Sequence, residues 1–247
     1  MRIHPVHALP AGSVRALALP EYHEPLFVTS PELTLIHMAQ SLSFSRAVHL
    51  GYEFCGTFAP DDSQPYGMRT RALLTTPEKL AAYFEKADGV RGIKAARPLL
   101  PHILKGSASP RESTLAELLT LPYMRGGSKI DHPVMNAVIP IPQRSRWATD
   151  RSSLRCDLLW PDKLVAVEYD STLCHTGAER IADDASRKNA LEALGLTVVT
   201  ATWKQVVDFQ EYNRFARLVA KHLGARIRPA CTDYTARQFA LRRELLR

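Results

Sequence analysis

Between residues 110 and 223 the apolar spacing switches between a helical repeat and a strand repeat, in the order helix, strand, strand, strand, helix, strand, helix. This order constrains the fold more than any other feature, because strands flanked by helices must form a sheet that the helices cover. Ser109 opens the first helix ahead of Pro110, Arg111 and Glu112, with Leu115, Leu118 and Leu119 following at helical spacing. Strands are predicted from Val134 to Ile141, Leu154 to Trp160 and Leu164 to Tyr169, the last two joined by the turn-like Pro161, Asp162 and Lys163. A helix from Ala178 to Leu194 stops at Gly195, a short strand runs from Leu196 to Ala201, and one amphipathic helix extends to Leu223.

Acidic residues break two of these strands. Asp157 interrupts Cys156, Leu158, Leu159 and Trp160, and Glu168 ends the run Leu164, Val165, Ala166, Val167. Ionised carboxylates are costly in such surroundings unless they are paired or bound to a metal. Strand alternation puts Glu168 and Asp170 on one face, and a hairpin pairing the two strands brings Asp157 near them. Carboxylates on adjacent strand ends are hard oxygen ligands suited to Mg²⁺, which binds phosphates and assists phosphodiester hydrolysis.

The chain before residue 106 reads differently. Two short strand-like runs, Val14 to Leu19 and Pro25 to Thr29, precede helix starts at Ser30–Pro31, Ser43 and Thr76–Pro77. Residues 59–68 read as a loop, and one basic helix carrying Arg91, Lys94 and Arg97 is predicted towards Lys105. The segment Gly106 to Pro110 marks a boundary, giving a mixed, mainly helical domain over 1–107 and an α/β domain over 108–247.

The 247 residues, 45% of them hydrophobic, can bury a substantial core, and no apolar run approaches a membrane span. The four cysteines follow neither a metal nor a disulfide pattern, and the first ten residues lack a signal-like segment, so a reducing cytoplasm is expected. Charge is unevenly placed. Residues 214–247 carry 9 Lys or Arg against 2 acids, equal to the whole net charge of +7. A helix starting at Asp233 is predicted there, with Arg237, Arg242 and Arg243 exposed to hold a polyanion. Chance basicity of a solvated helix is the alternative.

The segment from Asp157 to Trp203, with Asp157, Glu168-Tyr-Asp170, His175, Asp184-x-x-Arg187, Leu191 and Gly195-Leu-Thr-Val-Val, resembles the PD-(D/E)XK nuclease superfamily, in its very-short-patch-repair endonuclease branch. The likeness covers roughly residues 108–223 and includes the opening Ser109-Pro-Arg-Glu112-Ser helix; residues 27–105 are similar, more weakly, to a region of abortive-infection antitoxin-like proteins. It implies a restriction-endonuclease-like αβββαβ core and a Mg²⁺-dependent DNA endonuclease of defence or repair, with Mn²⁺ as a substitute. RNA remains an alternative substrate, and the N-terminal region an interaction or nucleic-acid-binding domain with a possible protein partner.

By the same resemblance Asp157 and Glu168 are metal ligands, Glu112 completes the acidic set, and Asp170 stands where the superfamily has its lysine. His175 acts on the scissile phosphate or its water, and Arg187 steadies a phosphate or pins a carboxylate. Two positions depart from the pattern: Ser171 replaces a glycine, and Thr200 replaces an arginine on the phosphate side. A weak or silent nuclease fold acting as a nucleic-acid-binding regulator is therefore the competing function. Structural readings also stand beside the catalytic ones. Asp157 can end its strand, Asp170 can form an Asx turn, Glu112 can complement a helix dipole, His175 can lie at the surface, and Arg187 can pair with Asp184.

Overall fold

The computed structural model describes residues 9–17, 24, 26–64, 67–170 and 178–246, with backbone alone for 178–184. The chain divides into two compact units, Met1–Ser109 and Pro110–Arg247.

In the first unit, β1 (Val14–Leu17) and β2 (Leu26–Thr29) form an antiparallel hairpin. Helix α1 (Pro31–Met38) starts where Ser30 Oγ accepts the Leu33 amide at 3.3 Å. Ser43 and Thr76 cap α2 (Phe44–Phe54) and α3 (Pro77–Lys86) in the same way, satisfying amides that a helix start leaves without partners. The predicted loop is the tip of a second hairpin, β3 (Phe58–Pro60) with β4 (Met68–Thr70). The single basic helix predicted next is instead a short α4 (Ile93–Ala96) and a 3₁₀ segment, Arg97–His102, because Pro98 and Pro101 supply no amide donors. Leu35, Ile36, Val48, Tyr52, Leu80 and Phe84 fill the core.

The second unit is mixed α/β. Its elements run α5 (Pro110–Thr120), β5 (Val134–Pro140), β6 (Ser153–Trp160), β7 (Val165–Asp170), α6 (Ala178–Ala193), β8 (Thr197–Thr202), α7 (Trp203–Val207), α8 (Phe209–His222) and α9 (Tyr234–Leu245). One sheet has the order β5-β6-β7-β8, antiparallel except for the parallel β7–β8 pair. Leu154, Cys156, Leu159 and Ala166 pack with Ala190 and Leu191 of α6. Residues 154 and 156 share that cluster with 159, so strict two-residue alternation breaks between Cys156 and Leu159, around Asp157.

The amphipathic helix predicted to Leu223 is two helices. Asp208 has extended backbone between them, and its Oδ1 accepts the Gln210 and Glu211 amides at 2.9 and 2.8 Å. No helix among the described residues is long and apolar enough to cross a membrane.

Candidate active site

The sheet forks at Asp157. Strands β6 and β7 pair through Trp160–Val165, Leu159–Ala166 and Leu158–Val167, and the ladder then stops. Its next step would set Asp157 opposite Glu168. Beyond that point β6 stays with β5, and β7 stays with β8, where Glu168 lies beside Thr200 and Asp170 beside Thr202. Asp157 Oδ2 accepts the Tyr169 amide at 2.7 Å, so a side chain replaces the missing ladder bond. On the other flank, the β5–β6 register omits the pair of Asn136 with Asp157, and Asn136 adopts a left-handed backbone with φ of 48°. Asparagine tolerates that conformation better than most residues. Asn136 Nδ2 donates to Glu112 Oε2 at 2.5 Å, linking the buried carboxylate of α5 to the strand beside Asp157.

The two strand acids form one electrostatic unit. Glu168 is raised to about 7, first by burial and then by the charge of Asp157; Arg187 opposes the shift. Burial also raises Asp157, against the Tyr169 amide and the cations Arg187 and Arg155. The Arg187 guanidinium pairs with Glu168 Oε2, and the same Nη2 donates to the Arg155 carbonyl at 2.8 Å. Glu168 Oε1 is buried and forms no full hydrogen bond, the weak donor of the neighbouring Cys156 thiol acting on this carboxylate alongside the charged side chains. Burial, followed by the Glu168 charge, pushes the Cys156 thiol up to about 12, which leaves it protonated and unreactive at neutral pH.

The predicted site residues are distributed unevenly. Asp157, Glu168 and Arg187 come together at the fork. Asp170 is half-buried at the end of β7, two residues from Glu168 on the same strand. Glu112 engages Asn136. Among the described residues, no group of three or more His, Cys, Asp or Glu side chains is placed to hold a metal ion. His175 and Ser171 lie outside the described residues, as does the side chain of Asp184. Thr200 is exposed.

The expectation of three outward arginines on α9 needs correction. Arg242 is buried: its Nη2 donates to the Val206 and Val207 carbonyls, each at 2.7 Å, and its guanidinium lies 5.0 Å from the Tyr212 ring centre. These carbonyls end α7, where a cation complements the helix dipole and satisfies acceptors without helical partners. Arg237 is occupied too, donating to Asp233 and, at 2.9 Å, to the Met124 carbonyl. Arg243 is exposed as expected. Sequence reasoning also missed Asn136. The available signal was an asparagine inside a predicted strand, a residue type that strands disfavour.

No family model matches the chain, and no solved structure matches it. Two uncharacterized proteins from two strains of Mycobacterium tuberculosis are each 30% identical to it over 135 residues, which is 55% of this chain and 44% of theirs. The chain thus spans less than half the length of these curated relatives.

Proposed function

We propose that the second unit is a metal-dependent phosphodiesterase acting on DNA, an endonuclease with a restriction-endonuclease-like core. The observation that carries this reading is the pair of acids at the fork. Asp157 and Glu168 come from two strands that separate between them, and burial, followed by the charge of Asp157, holds Glu168 at about 7. Such shifts concentrate at functional sites because a stable scaffold has little reason to maintain them.

The residues fit a small hard cation. Both candidate donors are carboxylates, and Glu168 Oε1 is buried with no full hydrogen bond, the weak donor of the Cys156 thiol lying beside the carboxylate. Mg²⁺ commonly takes one or two protein carboxylates and completes its shell with water and substrate phosphate. When bound, it supplies charge stabilisation at the phosphoryl oxygen and a water of lowered pKa. The protein's part is positional. The Tyr169 amide fixes Asp157, Arg187 fixes Glu168, and Glu112 holds Asn136 beside them. In this reading Asp170 and His175 orient water or phosphate.

A second reading, a silent nuclease fold that binds nucleic acid as a regulator, is favoured by one observation. Arg187 already occupies an oxygen of Glu168, and the neighbouring β8 position is Thr200 instead of a cation. Nicking of supercoiled plasmid separates the two. The endonuclease reading expects relaxed circles with Mg²⁺ or Mn²⁺ and none with EDTA; retarded but intact plasmid in every condition supports the regulator.

A further inference from the structure

The connection between β5 and β6 is longer than a hairpin needs. The Ile141 amide donates to the Ser152 carbonyl at 2.9 Å, closing a loop over residues 142–151, whereas ordinary hairpins turn in about two to five residues. Loops of this length on a rigid sheet are often functional. This one reads Pro-Gln-Arg-Ser-Arg-Trp-Ala-Thr-Asp-Arg.

Its Trp147 is 79% exposed. A large ring left in water gains nothing from folding, and the arginines around it give the segment a recognisable chemistry. Arg144, Arg146 and Arg151 are exposed, and none forms an ion pair among the described residues; Asp150 is the one acid of the loop. A cavity of about 350 Å³ is lined by Trp147, Asp150 and Arg151 from the loop and by Ser186 and Arg187 from α6. Arg187 is also the residue whose guanidinium holds Glu168. The cavity and the acid pair therefore share one side chain as their common wall.

We propose that residues 142–151 clamp nucleic acid that carries unpaired bases: a base stacks on Trp147 while the loop arginines hold the flanking phosphates. The inference rests on the phosphodiesterase reading and names the substrate class of that site. Stacking on an aromatic face tolerates any base but requires it to leave its duplex neighbour, and arginine forks match phosphate oxygens. A strand lying across the cavity runs past Arg187 towards Asp157 and Glu168. The arginines also supply positive charge that Arg237 and Arg242, both engaged within the fold, do not.

The test uses the full chain in EDTA, so that binding is read without cleavage. The probes are a short end-labelled single strand, as DNA and as RNA, and the blunt duplex of the same length. The single strand is expected to bind more tightly than the duplex and to quench tryptophan emission. Trp160 is buried and Trp203 is half-buried with the Arg111 guanidinium over its ring, so the exposed Trp147 is the most accessible of the three emitters, and the Trp147→Phe variant separates its quenching from that of Trp203. Trp147→Ala should weaken single-strand binding by about tenfold or more with little change for duplex, whereas Trp147→Phe, retaining a ring, should stay within about threefold and lose most of the quenching. Replacing Arg144 and Arg146 with glutamine should flatten the log-log salt dependence by about 0.7 per lost phosphate contact. Comparison of the DNA and RNA arms identifies the polymer. Equal affinity of Trp147→Ala and wild type for the single strand, or duplex binding as tightly as single strand, overturns the clamp. Plasmid nicking is read in parallel. Nicking without a Trp147 effect eliminates the clamp alone, and a Trp147 effect without nicking eliminates the phosphodiesterase reading while upholding the clamp.

Discussion

At the scale of single residues, the account depends on which charges the fold holds inside. Glu168 has an ordinary carboxyl pKa of 4.5 in the unfolded chain and about 7 when folded. Between those values the folded protein retains a proton that the unfolded chain has released. Metal-free protein therefore loses stability through this group as pH rises from about 4.5 to about 7 and loses no more above that, a contribution on the order of 3 kcal/mol. Urea denaturation of wild type and Glu168→Gln at a series of pH values measures it. The variant should gain on wild type across that window, and a constant difference between them would show that Glu168 titrates normally. Arg242 makes the opposite case, a charge that is buried and solvated by carbonyls. Arg242→Met should cost about 2 kcal/mol or more in the same assay, because two acceptors lose their donor, while exposed Arg243→Gln should stay within about 0.5 kcal/mol.

At the scale of elements, the sheet was largely readable and the tail was not. The apolar runs located all four strands of the second unit to within two residues, and the acids inside them marked the fork. The short turn fixes an antiparallel register whose next step beyond Leu158–Val167 would set 157 opposite 168, which is why the Asp157–Glu168 approach could be read from spacing although the ladder ends before them. The left-handed backbone of Asn136 depends on where the distant Glu112 carboxylate ends up, which an asparagine in a strand pattern only hints at, whereas the break at Asp208 has a local signal, an N-cap acid with Glu211 three residues on. The tail failed for a related reason. Arginine has a long apolar stem, so its burial is decided by distant carbonyls, here those ending α7. The placement of α9 also depends on Gly126, with φ of 85°, where a Cβ would overlap the Arg237 carbonyl. Gly126→Ala should consequently loosen α9, read as faster amide exchange over 234–245 than in wild type. Unchanged protection there would mean that the helix is held without this close approach.

At the scale of the whole molecule, net positive charge proved less informative than where each cation is spent. The surplus of residues 214–247 suggested a polyanion surface, yet Arg237 and Arg242 bind the protein's own oxygens. Exposed cations lie closer to the acid pair, Arg155 on β6 and Arg151 of the β5–β6 loop beside the cavity that Arg187 also lines, within residues 110–213, where 14 acids outnumber 12 Lys or Arg. Two carboxylates would repel a phosphodiester, so the central claim requires them to act together through a cation. The most direct measurement is the rate of nicking of supercoiled plasmid in Mn²⁺ by wild type, Asp157→Asn and Glu168→Gln, prepared identically. Both substitutions preserve shape and keep an acceptor for the Tyr169 amide and for Arg187 respectively. The account predicts metal-dependent nicking by wild type and a loss of about a hundredfold or more in each variant, since either removes charge from the metal site. Nicking at the wild-type rate by either folded variant would contradict it.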